Sequence, residues 1–217
     1  MIPKIIHQIW VGDQEKRPDD MIQTWRDMNP DWEHILWTDD NLPTTLINKK
    51  QYDAMQEYAG KADILRYQLL KEQGGFFIDA DSICTKPLDD FFVDNDSFCC
   101  WENEYIRTGL MCNGYLATCK DNELMEHIIA RIALMPPEVL ESAPNLTAWK
   151  ITGPGLLTDT VRKIQYNKIR IYPSHYFLPR HYSGMETQFK NEPIYSEQYW
   201  GSTETLQGKM GMTYGEG

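Results

Sequence analysis

No stretch of the chain approaches the roughly eighteen consecutive apolar residues of a membrane-spanning helix. The apolar opening, about seven residues long, is too short for a secretory leader with a cleavage site, so a cytosolic chain without an integral membrane segment is expected. Cysteine pairs are missing too. The five cysteines, Cys84, Cys99, Cys100, Cys112 and Cys119, form no CxxC motif and have no histidine at zinc-finger spacing, which leaves buried, reduced thiols as their reading. In that compartment the Asn145-Leu146-Thr147 sequon is unused. Cations are scarce: 21 Lys and Arg stand against 32 Asp and Glu, a formal net charge of -11. That balance excludes a broad basic face for nucleic acid and means that an anionic substrate needs local help. Internal repeats and low-complexity blocks are also absent.

What is present is an ordinary globular composition, 41% hydrophobic and 24% charged over 217 residues, enough for one domain with its own core. We read that domain over 1–207, with a Gly-rich tail over 208–217 that has no apolar periodicity. Strands are expected over 2–11, 32–37, 76–78, 98–101 and 111–118, and helices over 18–28, 52–73, 121–135 and 155–163. Gly74-Gly75 ends the longest helix, and Asn29-Pro30 and Pro136-Pro137 end two others. The alternation predicts an α/β sandwich around a mixed sheet. Beyond Ile171 the chain turns aromatic and irregular, and reads as an active-site lid or flank.

The chemistry concentrates at Gly74-Gly75-Phe76-Phe77-Ile78-Asp79-Ala80-Asp81, an apolar strand ending in two carboxylates one residue apart. Ligands of α/β sheets gather at the carboxyl ends of strands. Two carboxylates there repel unless a cation lies between them, and Mg²⁺ or Mn²⁺ takes one or two carboxylates plus phosphate oxygens. A nucleotide diphosphate supplies such oxygens, and a bound cation offsets the charge that develops as it leaves. On spacing alone the pair reads as a polar turn after a strand. Asp63 and Arg66, three apart on one helix face, read by themselves as a surface ion pair. Trp10 reads as a core aromatic or a stacking platform at the end of the first strand, and His7 as a structural histidine. His175 and His181 are candidate acceptor contacts. Thr152-Gly153-Pro154-Gly155 opens a helix, either as a Thr-capped turn or as a place where backbone N–H groups meet an acceptor or phosphate.

Taken together, Ala62-Asp63-Ile64-Leu65-Arg66-Tyr67, Gly74-Gly75 and Asp79-Ala80-Asp81 resemble glycosyltransferase family 32, the Asp-X-Asp sugar transferases. The resemblance extends to residues 2–10, to Asn113-Gly114-Tyr115 and to Thr152-Gly153-Pro154-Gly155. It implies a GT-A fold, a Rossmann-like nucleotide-binding α/β/α sandwich, and retaining transfer of a hexose from a UDP- or GDP-sugar to a glycan or other hydroxyl acceptor. It implies Mn²⁺ or Mg²⁺ as cofactor. By position, Trp10 resembles the base-stacking aromatic, Asp63 and Arg66 the pair that holds donor hydroxyls and phosphate, Asp79 the acid at the ribose or sugar that supports the metal, and Asp81 the direct metal ligand. Catalysis is thus assigned to Asp79 and Asp81, and the acceptor or phosphate side to Gly153, Gly155, Trp200 and Ser202. Family members end on a His-rich segment and Gly-Ser-Trp, where this chain has residues 196–203 with Trp200-Gly201-Ser202. The third metal ligand is therefore open among Glu197, Gln198 and Ser202; Gln198 aligns best and Glu197 carries the better charge.

Two rival readings compete. A haloacid-dehalogenase-type phosphohydrolase would use Asp79 as nucleophile and Asp81 as acid/base, but that family sets its pair near the N-terminus with Thr two residues later, where this chain has Ile83. A non-catalytic sugar-nucleotide or glycan binder is the other.

Overall fold

The computed structural model describes residues 1–142, 147–187 and 191–200. In chain order the elements are β1 (Ile5–Ile9), α1 (Asp19–Met28), β2 (Glu33–Trp37), α2 (Lys49–Ala54), α3 (Tyr58–Gln73), β3 (Gly75–Ile78) and β4 (Ser82–Cys84). They continue with β5 (Ser97–Trp101), β6 (Met111–Thr118), α4 (Glu123–Ala133), α5 (Pro137–Glu141), α6 (Ala148–Ile151), α7 (Pro154–Lys163), β7 (Ile169–Tyr172) and β8 (Ser196–Gln198). Six strands form one sheet in the order β2-β1-β3-β6-β5-β7, and β4 pairs with β8 in a separate ribbon. β1 runs parallel to β2 and β3, β6 runs antiparallel to β3 and β5, and β7 is parallel to β5. The expected mixed sheet is present, with helices on both faces.

The period-two alternation of the strands builds two cores. From β3, Phe77 enters the layer of α2, α3, α4 and α7, together with Leu65, Leu69, Leu124, Ile128 and Leu157. Phe76 and Ile78 enter the opposite layer, where Trp25 of α1 meets Phe92, Phe98, Tyr115, Phe177 and Tyr195. Of the two readings of the aromatic segment, lid or flank, its buried part corrects the lid. Phe177 and Tyr195 are fully buried, because the second face of β3, β5 and β6 carries too few helices to cover its own aromatics. Phe177 stacks on Tyr115 at 5.0 Å and stands edge-on to Phe76 at 5.5 Å. Phe177→Ala is expected to cost about 3–5 kcal/mol and to lower the melting midpoint by roughly 10 °C, measured by calorimetry.

Local chemistry explains most boundaries. α3 stops at Gly74 (φ 70°), and Gly75 (φ 102°) starts β3 at once. A Cβ on Gly75 would lie 2.6 Å from Ile5 O, so the glycine pair lets β3 press onto β1. The helix expected over 52–73 is two helices. Met55 and Glu57 are extended, and the Glu57 carboxylate accepts from the N–H groups of Thr147 (3.1 Å) and Ala148 (3.2 Å). All five thiols are free, four of them buried. His7 is buried with Nε2 at 2.9 Å from Gly74 O and Nδ1 accepting from Trp37 Nε1, and burial pushes its pKa down to about 4. Residues 145 and 146 of the sequon, Ser202 and the 208–217 tail lie outside the described residues.

Candidate active site

Asp79 and Asp81 leave β3 at the carboxyl edge that it shares with its parallel neighbour β1. Asp79 N donates to Gly114 O (3.0 Å) and Ser82 Oγ donates to Asp79 O (2.7 Å), which fixes the turn. A Cβ on Gly114 would run into the Asp79 carboxylate, so the Asn113-Gly114-Tyr115 motif is glycine-centred because the acid lies on its backbone.

α3 delivers Asp63 and Arg66 from behind. The pair is not on the surface: Asp63 is 6% exposed and Arg66 4%, because α3 is wrapped by β3, β6, α2, α4 and α6. Arg66 lies over the Phe77 ring at 3.8 Å and spans two carboxylates, with Nη1 at 3.3 Å from Asp63 Oδ1 and Nη2 at 3.2 Å from Asp79 Oδ1. Nη1 also donates to Asn113 O at 2.5 Å. Asp63 accepts from Asn113 Nδ2 (2.8 Å) on Oδ1 and from Thr152 Oγ1 (3.0 Å) on Oδ2. Tyr67 OH donates to Thr152 O (2.8 Å) and accepts from Asn113 Nδ2 (3.2 Å). Burial raises the Asp63 pKa against the pull of Arg66 and these donors. Asn113, Tyr67 and Thr152 therefore hold the Asp63–Arg66 pair, a role that the motif residues do not reveal until α3 and α6 meet.

Burial also pushes Asp79 up to about 7; Arg66 opposes the shift, while Asp81 and Asp63 add to it. Its side chain keeps 34% exposure, so one face of the carboxylate meets solvent. A carboxyl whose folded pKa lies above its ordinary 3.8 holds its proton more tightly when folded. Stability from this group is highest below its unfolded pKa and is lost as pH rises towards the folded value. The melting midpoint of metal-free protein should therefore fall relative to Asp79→Asn as pH goes from about 5 to about 7.5, and added Mn²⁺ should narrow that gap. A gap independent of pH would refute the assignment.

The β4–β8 ribbon supplies the remaining side of the acid centre. Ser82 pairs with Gln198 in register. Gln198 Nε2 donates to Asp81 Oδ1 (2.7 Å), its Oε1 accepts from Tyr115 OH (2.8 Å), and Tyr199 N donates to Asp81 O (2.9 Å). Glu197, one residue earlier, points to the other face of the ribbon and approaches Arg180 Nη2 at 3.4 Å, so the structure does not bring it to Asp81. It lines a separate groove with Thr85, Pro179, Arg180, Glu186 and Ile194. Trp200 Nε1 donates to Arg180 O (3.1 Å).

No group of three His, Cys, Asp or Glu assembles among the described residues. The donor set of two carboxylates and an amide is nevertheless all oxygen once the Gln198 amide is turned over, with Tyr115 OH then accepting from Nε2. Such a set fits a hard divalent cation that completes its shell with phosphate and water.

Trp10 stands half-buried at the same sheet edge, its N–H on Trp37 O (2.8 Å) and its Nε1 on Asp13 O (2.8 Å). Tyr58 packs on the backbone of Gly12 just beyond it. Gly153 and Gly155 serve the α6–α7 contact. Gly153 N donates to Ala148 O (2.8 Å), and a Cβ on Gly155 would lie 3.0 Å from Lys150 Cα. Thr152 does not cap α7, since its hydroxyl is turned to Asp63. His175 and His181, expected as acceptor contacts, are each 1% exposed and face Glu192 and Glu102, so neither is open to an acceptor.

Residues 15–98 match the glycosyltransferase sugar-binding region containing the DXD motif, a span that holds Asp63, Arg66, Asp79 and Asp81. The chain is similar to the uncharacterized glycosyltransferase L373 of Acanthamoeba polyphaga mimivirus, 28% identical over 82% of this chain and 74% of that protein. It is 33% identical to inositol phosphoceramide mannosyltransferase 3 of Schizosaccharomyces pombe over 41% of this chain, and the match spans 26% of that enzyme's length. In fold it resembles the PaToxG glycosyltransferase, with a TM-score of 0.58 at 18% identity over 75% of this chain and 70% of that one. The mixed sheet with flanking helices is thus the GT-A architecture.

Proposed function

Because the chain carries the Asp-X-Asp sugar-binding region of glycosyltransferases, we propose that it transfers a hexose from a UDP- or GDP-sugar to a glycan or other hydroxyl acceptor, with retention at the anomeric carbon. The observation that carries this reading is the Arg66 fork between Asp63 and Asp79, with Asp81 beside them on Gln198. In it, Trp10 stacks on the base at the β1 edge. Arg66 holds Asp79 in place and offers positive charge beneath the diphosphate. Asp81, Asp79 and Gln198 hold Mn²⁺ or Mg²⁺, which when bound supplies Lewis-acid stabilisation of the diphosphate. Asp63 has both oxygens taken by Asn113, Thr152 and Arg66, so it supports Arg66 and is not set aside as a base. Retention by front-face displacement suits a site without a spare base, since the departing phosphate itself takes the acceptor proton.

The phosphohydrolase reading is not favoured. Ile83 at the diagnostic Thr position is a β4 residue paired with Glu197, away from the acids. No helix among the described residues is long and apolar enough to cross a membrane. Five free thiols suit a reducing compartment, and we place the activity in a cytosol on that ground. The mannosyl transfer named for the fission-yeast relative makes GDP-mannose the first donor to try. Calorimetric titration of UDP and GDP, with and without Mn²⁺, tests the proposal. Metal-dependent binding of one nucleotide is expected, and binding of neither under any metal condition would sink it.

A further inference from the structure

We infer that Trp149, flanked by Arg107 and Lys150 and continued by Tyr182, forms the acceptor subsite and takes the ring of a pyranoside; the inference rests on the transferase reading above. A series of side-chain contacts leads from α6, beside Asp63, to Trp200, near Gln198. Glu57, next to the Tyr58 that lies on Gly12, caps the first turn of α6 through Thr147 N and Ala148 N. α6 carries Trp149. A Cβ on Gly153 would lie 2.9 Å from Trp149 Cα and 3.1 Å from Asp63 Oδ2, so α6 sits directly beside the Asp63–Arg66 pair. The Arg107 guanidinium lies over the Trp149 ring at 5.0 Å, and its Nη2 donates to Tyr182 OH at 2.7 Å. Tyr182 meets Trp200 edge-on at 5.4 Å, and Trp200 follows two residues after Gln198, which holds Asp81. The series thus joins the Asp63 side of the centre to the Asp81 side.

Trp10 occupies the donor-base position at the β1 edge, and Trp149 lies within this series, 36% exposed. A partly exposed indole with two cations at its ring suits the apolar edge and the hydroxyls of a sugar ring. The support is built in advance. Asn103 Oδ1 accepts from the N–H groups of Tyr105 and Ile106, both at 2.9 Å, and Arg162 Nη2 donates to Gly109 O at 2.7 Å, which pins the loop that carries Arg107. Little ordering is left for the moment of binding. Lys150, with its Nζ 5.1 Å from the Trp149 ring centre, has a flexible stem and can swing to a sugar hydroxyl.

The test is saturation-transfer NMR with the methyl α-pyranosides of mannose, glucose and galactose, recorded with nucleotide diphosphate and Mn²⁺ present. Wild type should transfer saturation to at least one of them. Trp149→Ala should weaken that binding about ten-fold or more, and Trp149→Phe should hold it within about three-fold, a rescue that a purely structural role would not need. Titration of the same proteins with UDP and GDP separates the sites. Nucleotide affinity that survives in Trp149→Ala is expected. The inference is overturned by equal pyranoside binding in wild type and Trp149→Ala, by no saturation transfer in wild type with nucleotide bound, or by loss of nucleotide affinity in Trp149→Ala. Wild type that binds neither nucleotide removes the transferase reading, and this subsite with it.

Discussion

Asp81→Asn should lower sugar transfer by about a hundred- to a thousand-fold while leaving the fold intact. The substitution keeps the side-chain shape, and asparagine Oδ1 can still accept from Gln198 Nε2, as Asp81 Oδ1 does at 2.7 Å. What it removes is one negative charge beside Asp79. If Asp81 holds the cation as proposed, the cation would lose an anionic partner, and nucleotide affinity in Mn²⁺ should drop to the level seen without metal. The melting midpoint of the metal-free variant should stay level or rise slightly, because Asp81 is among the charges that push Asp79 up. A variant that turns over within about two-fold of wild type would show that Asp81 is not at the reacting centre.

The largest effect on stability is expected at Arg66. Arg66→Ala leaves Asp63 at 6% exposure without its cation and strips Asp79 of the Nη2 contact at 3.2 Å. Removing one partner from such a buried network costs about 3–5 kcal/mol, which corresponds to a midpoint lower by roughly 10 °C in a domain of this size. Arg66→Lys restores one charge but neither the fork between two carboxylates nor the stack on Phe77, and should recover only part of the loss. Both readings come from one denaturation series. A midpoint within about 2 °C of wild type for Arg66→Ala would mean that water replaces the guanidinium and that the pair is not structural.

Much of this architecture was legible because its signals are local. β6 was expected over 111–118 and forms over Met111–Thr118; α1 and α7 form within a residue of their expected starts. Proline stops, apolar alternation and the Gly74-Gly75 break act over a few positions, so the sequence carries them openly. The break between α2 and α3 escapes the sequence reading; at it Glu57 accepts from Thr147 and Ala148, ninety and ninety-one positions away. The aromatic segment reads as a lid or flank because aromatic residues without periodicity mark either a site or an irregular core. Only the bare second face of the sheet decides for Phe177 and Tyr195.

For the site the division is sharper. The sequence by itself determined the acid pair at a strand end and the order of motifs that resemble the Asp-X-Asp transferases, since strand, turn and carboxylates are neighbours in the chain. Tertiary structure alone decided that Asp63 and Arg66 are buried, that Asn113, Tyr67 and Thr152 hold them, and that Gln198 faces Asp81 while Glu197 faces Arg180. Spacing of three on a helix gives a shared face but not what covers it. Asp81 and Gln198 stand 117 positions apart, and which of two adjacent side chains meets the acid follows from the register of β8 on β4, where a shift of one residue would exchange them.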